Sequence, residues 1–356
     1  MRNKTVVLAM SGGVDSSVAA YLLRRRGFSV IGITMGFLSA RKGQDGLPVF
    51  SDNCSRAKEV CAKIGVPHYF VDYSKKFKED VIESFVDSYR QGQTPNPCIV
   101  CNKEVKFPVL IEQARRFNAD YIATGHYARC YYSLIRGRFF IKEARDKAKD
   151  QSYVLFCLGQ DTLSRLILPV GDYKKNDIYY IARRIGLSFL PDGESQEICF
   201  VQDNDLKRFL RERLGGAIVK GIVKDRLGRR LLSHEGTCFF TIGQRRGLGI
   251  AYGSPVYVTD IDHKTGDITV GDYGDTMKGS LRVKNTIYNM PSAELKKDHR
   301  VYVKIRYKHA KTRAVLKIQQ DGGALVYFNR PQSAPTPGQA AVFYKNNSVI
   351  GGGWII

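Results

Sequence analysis

The sequence predicts an α/β N-terminal domain on a parallel sheet, then a small mostly-β middle domain, then a C-terminal β-barrel. Three observations predict this. Strand and helix patterns alternate with short connections over the first 130 residues, the signature of a parallel sheet flanked by helices. After residue 205 turn dipeptides and short alternating runs take over. From Gly279 onward only short strands are legible, six of them, the texture of a small barrel. The 356 residues leave room for more than one core, and 43% apolar with 25% charged residues is globular composition that excludes disorder. We place the boundaries at 1–205, 206–278 and 279–356.

Taken in order, Thr5–Met10 is a continuous β-rich run, and Ser16–Arg26 reads as a helix stopped by Gly27. Phe28–Met35 is a second strand, Ser55–Ile64 a helix and His68–Tyr73 a third strand. Helical spacing marks Phe77–Tyr89 and Cys101–Phe117, and Tyr121–Thr124 is a short strand. Ser39–Gly46, polar and containing glycine, predicts a mobile loop near the top of the sheet. Asp205–Leu214 is one more helix. Lys264-Thr265-Gly266-Asp267 separates Val256–Ile261 from Ile268–Val270 as a hairpin turn would. The barrel strands are Leu281–Ile287, Val301–Tyr307, Ala314–Gln319, Ala324–Phe328, Ala341–Tyr344 and Ser348–Ile350.

Charge narrows the partners. Lys and Arg number 56 against 34 Asp and Glu, a net +22 that favours a polyanion such as nucleic acid. Residues 279–356 hold 13 basic and 3 acidic residues, +10, and are the most basic part per residue; residues 206–278 hold 13 and 8, +5. Alternation over Val301–His309 places Lys304, Arg306 and Lys308 on one predicted strand face. A solvated face explains those charges, but Tyr302 and Tyr307 beside them favour RNA, whose bases stack on rings. No apolar run is long enough for a membrane span, and the N-terminus does not read as a signal peptide. Eight cysteines without a secretory signal point to a reducing, cytoplasmic setting in which most are small buried hydrophobes.

Ser11-Gly12-Gly13-Val14-Asp15-Ser16-Ser17 lies between a buried strand and a helix. Its glycines allow positive φ and close backbone approach, and the helix start offers free N–H groups to a multiply charged anion. No Gly-x-x-x-x-Gly-Lys string occurs, so the loop lacks the usual phosphate-seeking lysine. The second unusual string is Thr94-Pro95-Asn96-Pro97-Cys98-Ile99-Val100-Cys101-Asn102-Lys103-Glu104, where two prolines lead into a helix starting near Cys101. The helix dipole and Lys103 favour a thiolate there. A lone CxxC fits half a zinc site, a redox pair or two packed thiols, and no second CxxC completes a zinc site. The third string, Ser195-Gln196-Glu197-Ile198-Cys199-Phe200-Val201, reads as a short strand whose central thiol, taken alone, is a core residue.

Ser11–Ser17 resembles the loop of the PP-loop ATP pyrophosphatases, which split ATP between the α and β phosphates and adenylate an acceptor. With Asn96–Glu104, Thr124-Gly125-His126-Tyr127, Lys149-Asp150-Gln151-Ser152, Ser195–Val201 and Thr241–Gly249, the chain resembles their tRNA 2-thiouridylase family over essentially its full length. The resemblance implies an adenine nucleotide alpha hydrolase-like fold and binding of ATP by Ala9, Met10, Ser11, Gly12, Gly13, Val14, Asp15, Ser16, Met35 and Gly125, with Mg2+ near Asp15. It implies tRNA contacts from Asn96, Pro97, Cys98, His126, Lys149, Asp150, Gln151, Arg306, Tyr307 and Gln339. It makes Cys101 the nucleophile and Cys199 the persulfide carrier, with a Cys101–Cys199 disulfide in turnover. His126, read alone, is equally a satisfied strand-end histidine.

The implied reaction is thiolation of the wobble uridine, U34. Adenylating the C2 oxygen turns it into AMP, a good leaving group, and a Cys199 persulfide supplies sulfur. The single-stranded wobble base unstacks cheaply. A cysteine desulfurase, acting directly or through a relay protein, is the expected sulfur donor, and a monomer is the expected state. Cys98, the third catalytic candidate, departs from the family pattern, in which many members carry an acid–base Asp whose part a thiol takes over only if its pKa is depressed. An alternative places a [4Fe–4S] cluster on Cys98, Cys101 and Cys199. A PP-loop amide ligase leaves the three cysteines and the basic barrel unexplained, and a non-catalytic RNA binder leaves the intact loop unexplained.

Overall fold

The computed structural model describes residues 4–37, 41–42, 48–49, 52–187, 198–291, 294 and 298–356. The expected loop at Ser39–Gly46 lies largely outside the described residues. The chain forms two compact units. The first takes 1–81, 98–196 and 346–349, and the second 82–97, 197–345 and 350–356.

In the first unit five parallel strands lie in the order His68–Asp72, Ser29–Gly36, Thr5–Ala9, Tyr121–Ala123 and Leu166–Ile167. Thr5–Ala9 sits centrally, and Val6, Val7 and Leu8 are fully buried, as a strand covered on both faces requires. Helix Val14–Arg25 and helix Lys175–Arg184 share a core of Val18, Leu22, Ile178 and Ala182 with strand residues Val6 and Leu8. The parallel sheet and the four predicted strands are as the sequence implied. Leu166–Ile167 and an antiparallel hairpin, Ala128–Ser133 with Arg138–Glu143, are additions.

Two helices start earlier than their patterns predicted. One runs 74–90 with a π-helical stretch at Lys78–Glu83. The other runs 97–116 with a π-helical stretch at Cys101–Lys106. Pro97 can open that helix because the first helical N–H has no intrahelical partner to lose.

The second unit holds two β assemblies. A four-stranded sheet orders Arg230–His234, Gly221–Lys224, Ile268–Gly271 and Tyr257–Ile261, and its last two strands form the predicted hairpin. Val223, Val258, Ile268 and Val270 fill its core. The barrel strands are Met277–Tyr288, Ala324–Ser333, Thr312–Ile318, His299–Lys304, Ala340–Lys345 and Ser348–Ile355 in spatial order. Met277–Tyr288 also pairs with the last of them, which closes the barrel around Val283, Val303, Leu316, Val326 and Phe343. Closure leaves no unpaired edge in this ring.

Two expected strands are corrected. The strand from residue 299 ends at Lys304, because Arg306 to His309 close a turn (His309 N–H to Arg306 O, 3.1 Å). Lys304, Arg306 and Lys308 therefore do not share a strand face. Ile198–Val201 is a turn, with Val201 N–H donating to Ile198 O at 2.9 Å. Asp203 and Asn204 adopt left-handed φ of 52° and 58°, which bends the chain away from an extended path. Ser195, Gln196 and Glu197 lie outside the described residues.

Candidate active site

The phosphate loop leaves the central strand at Met10, whose N–H donates to Ile33 O (2.8 Å) and whose carbonyl accepts from Thr34 Oγ1 (3.0 Å). Gly12 then takes φ +74°, and a Cβ there would meet the backbone carbonyl of Asn53. Gly13 stands at the N-cap with no side-chain cap. Ser16 Oγ and Ser17 Oγ both donate to Gly13 O (3.0 and 2.9 Å), and Ser16 Oγ also accepts Ser11 N–H (3.2 Å). These bonds fix the loop while leaving the helix start uncapped, which is the arrangement that receives phosphate. Gly125 backs directly onto it: a Cβ there would lie 2.9 Å from Ser16 N. Met35, half-buried, lies in the strand neighbouring Thr5–Ala9.

Sequence reasoning missed one residue here. Lys175, 5% exposed, places its Nζ 2.8 Å from both oxygens of Asp15. Tyr127 OH donates to the same carboxylate at 2.7 Å, and Gln151 Oε1 accepts Tyr127 N–H at 2.8 Å. Lys175 stands 160 positions from Asp15 and in no string that drew notice, so sequence carried no signal for it.

The thiols of the CxxC differ in exposure. Cys98, on the first turn of helix 97–116, is exposed; Cys101, one turn later, is 8% exposed. Burial pushes both thiols up, although Cys98 keeps solvent contact, and Lys106 pulls both back. A backbone hydrogen bond from Lys106 also favours the Cys101 thiolate. The expected Lys103 instead pairs with Glu104 at 2.6 Å. Lys106 thus replaces Lys103 as the cation of this site. His126 lies against the same helix, its ring stacked on Phe107 at 6.1 Å, with Nδ1 2.7 Å from Thr124 Oγ1. Burial first and Lys106 second hold its imidazole well below the usual range, so it is neutral at physiological pH.

Five further cysteines lie outside the three strings. Cys54, Cys61, Cys157 and Cys238 are buried and Cys130 half-buried, and burial pushes Cys61, Cys130 and Cys157 up to about 12. Their thiolates are inaccessible at neutral pH.

Comparison with known proteins decides the family. Models described as tRNA methyl transferase HUP domain, tRNA methyl transferase PRC-barrel domain and Aminomethyltransferase beta-barrel domain match residues 4–203, 203–272 and 278–355. Proteins named tRNA-specific 2-thiouridylase MnmA 1 from Thermoanaerobacter pseudethanolicus and MnmA 2 from Caldanaerobacter subterraneus are each 44% identical over 99% of this chain and 98% of theirs. A MnmA 1 from Clostridium botulinum is 42% identical over 99% of both chains. This chain belongs to the tRNA-specific 2-thiouridylase family.

The remaining residues implied by the family pattern fall in both units. In the first, Asp150 is buried and occupied: its carboxylate accepts from Ala144 N–H (2.9 Å), Ser152 N–H (3.3 Å) and Ser152 Oγ (2.8 Å). It shapes the turn that carries Lys149 and Gln151. Asn102 Nδ2 donates to Val154 O at 2.9 Å, joining that turn to the Cys101 helix. In the second unit Gln339 Nε2 donates to Thr94 O (2.7 Å), and Thr94 N–H donates to Pro337 O (2.9 Å), which ties the segment before Asn96 and Pro97 to the barrel. Arg306 Nη1 reaches Ser333 O at 3.4 Å, and Lys304 Nζ lies 6.0 Å from the Tyr307 ring centre. Cys199 is exposed, although the residue after it, Phe200, is buried against Phe85 and Phe209. Exposure corrects the reading of Cys199 as a core thiol.

Proposed function

We infer that this protein is a tRNA-uridine 2-sulfurtransferase that uses ATP to replace the C2 oxygen of U34 by sulfur. The observation that carries the reading is full-length membership of the 2-thiouridylase family together with an intact, uncapped Ser11–Ser17 loop. In this reading residues 1–205 bind ATP and carry the chemistry, 206–278 form the central domain, and 279–356 hold tRNA. The protein works as a cytoplasmic monomer fed by a cysteine desulfurase or a relay protein. Among the described residues, no helix is long and apolar enough to cross a membrane.

Ala9–Ser16, Met35 and Gly125 hold ATP, with its polyphosphate on the uncapped N-terminus of helix Val14–Arg25. Mg2+ takes few protein ligands beside phosphate oxygens and water, and Asp15, partly exposed beside its Lys175 and Tyr127 partners, is the carboxylate that would lie near it. The metal supplies charge neutralisation of the polyphosphate when bound. The uracil C2 oxygen attacks the α phosphate and pyrophosphate leaves, which makes C2 electrophilic. Asn96, Pro97, Cys98 and His126 face the base. His126, being neutral, contributes a hydrogen bond rather than charge. Lys149, Gln151, Arg306, Tyr307 and Gln339 contact the anticodon arm, and Asp150 holds the turn.

Sulfur arrives as a Cys199 persulfide. Its terminal sulfur attacks C2 and AMP departs; Cys101 then attacks Cys199 Sγ, the electron pair leaves with the base sulfur, and a Cys101–Cys199 disulfide forms. Equivalently, Cys101 attacks first and releases sulfide that attacks C2. Both routes leave the same disulfide, which two external thiols, or one dithiol, reduce while they are themselves oxidised to a disulfide. Among the described residues, no three Cys, His, Asp or Glu side chains are grouped to hold a metal.

The test is reconstitution with unmodified tRNA, ATP, Mg2+ and a persulfide donor, followed by nucleoside mass spectrometry. Wild type yields 2-thiouridine. Cys199→Ala yields none while its tRNA affinity stays within about twofold. An equal loss of tRNA binding makes Cys199 structural and overturns its assigned role.

A further inference from the structure

The phosphate loop contains no lysine, yet the fold delivers one to it. Lys175 opens helix Lys175–Arg184 and is buried, and its Nζ lies between the rings of Tyr127 (5.6 Å) and Tyr179 (4.9 Å) with both Asp15 oxygens at 2.8 Å. Asp15 occupies the first turn of helix Val14–Arg25, and its side chain remains 30% exposed while that of Lys175 is 7% exposed. The pair is therefore accessible at Asp15 and closed at Lys175. A bare carboxylate at that position would oppose a polyphosphate drawn to the helix N-terminus. The ammonium, itself buried, offsets that charge. Tyr127 and Tyr179 flank the ammonium with their rings, and the Tyr127 hydroxyl holds the carboxylate.

We propose that Lys175 is a positioning residue of the nucleotide site, holding Asp15 in the loop and neutralising it so that the helix start receives the polyphosphate of ATP. The proposal rests on reading the Ser11–Ser17 loop as an ATP site. A tie between helices Val14–Arg25 and Lys175–Arg184 alone would not need charge, since an apolar pair of similar volume serves a buried contact as well. The two roles separate experimentally because only the first concerns phosphate.

The experiment measures equilibrium binding of ATP, with and without Mg2+, and of adenosine, to the full-length protein and its variants, alongside thermal melts. Lys175→Met is expected to weaken ATP on the order of tenfold or more, the size of a lost charged contact, and to leave adenosine unchanged. Lys175→Arg keeps most of the ATP affinity because it keeps the charge. The double variant Asp15→Asn with Lys175→Met removes both charges, so Mg2+-free ATP binding returns toward wild type while the gain from Mg2+ disappears. This double variant also decides the matter should Lys175→Met fail to fold, since it leaves no charge buried without its partner. A melting temperature that falls while the ATP-to-adenosine ratio stays at the wild-type value makes Lys175 a structural tie and overturns the proposal. Failure of the wild-type protein to bind ATP at all would instead remove the reading of the loop, a distinguishable result.

Discussion

Lys106 is the residue through which the thiols and His126 share one electrostatic environment. Burial raises the pKa of Cys98 and Cys101 and lowers that of His126, while Lys106 favours both thiolates and the neutral imidazole. Because the folded thiol pKa lies above its ordinary value, Cys101 is protonated at neutral pH. Its alkylation should therefore rise as pH climbs past the usual thiol range. Lys106→Met removes the opposing cation and should slow alkylation of the Cys101 peptide at pH 8. An unchanged rate, followed by peptide-resolved mass spectrometry, would remove Lys106 from this role. The strings containing Cys98, Cys101 and Cys199 were legible in the sequence because their residue types are unusual in that order. Lys106 was not, because Lys103 stands nearer to Cys101 in the sequence and only the folded structure shows it paired with Glu104.

At the scale of elements, the loop and the helix after it depend on Gly12. Its φ of +74° and the Asn53 backbone carbonyl leave no space for a side chain. Gly12→Ala should cost at least about 1–2 kcal/mol from the left-handed backbone alone, and ATP should no longer raise the melting temperature of the variant. Retained stabilisation by ATP would show that the loop tolerates the shift. The parallel strands Thr5–Ala9, Ser29–Gly36 and His68–Asp72 were readable since buried strands are continuous apolar runs. Leu166–Ile167 was not, as two residues carry no period. The hairpin after residue 127 was also hidden: Leu134 and Ile135, 88% and 99% exposed at its tip, supply apolar residues where a turn signal is sought. The strand expected beyond Lys304 failed for the converse reason, since a local turn continued the alternating pattern without the ladder.

Across the whole molecule, charge and chain path serve the same substrate. The net +22, with +10 in residues 279–356, predicts tRNA binding that falls linearly in log–log terms with salt. If six to ten phosphates are neutralised, affinity drops by roughly 10³–10⁵ between 50 and 200 mM salt. A salt-insensitive affinity would contradict a phosphate-dominated interface. The segment 82–97 packs with the barrel unit rather than with the sheet that precedes it, anchored by Phe85 on Phe200 and by Gln339 on Thr94. Gln339→Ala should loosen the segment leading to Asn96 and Pro97, lowering the thiolation rate several-fold while ATP affinity is unchanged. Equal loss of ATP binding would place Gln339 elsewhere in the account. The central claim, ATP-dependent thiolation of U34, is tested most directly by nucleoside mass spectrometry of tRNA from cells lacking this protein. 2-Thiouridine at position 34 should disappear and return with the wild-type gene but not with Cys199→Ala; an unchanged 2-thiouridine level would rule the activity out.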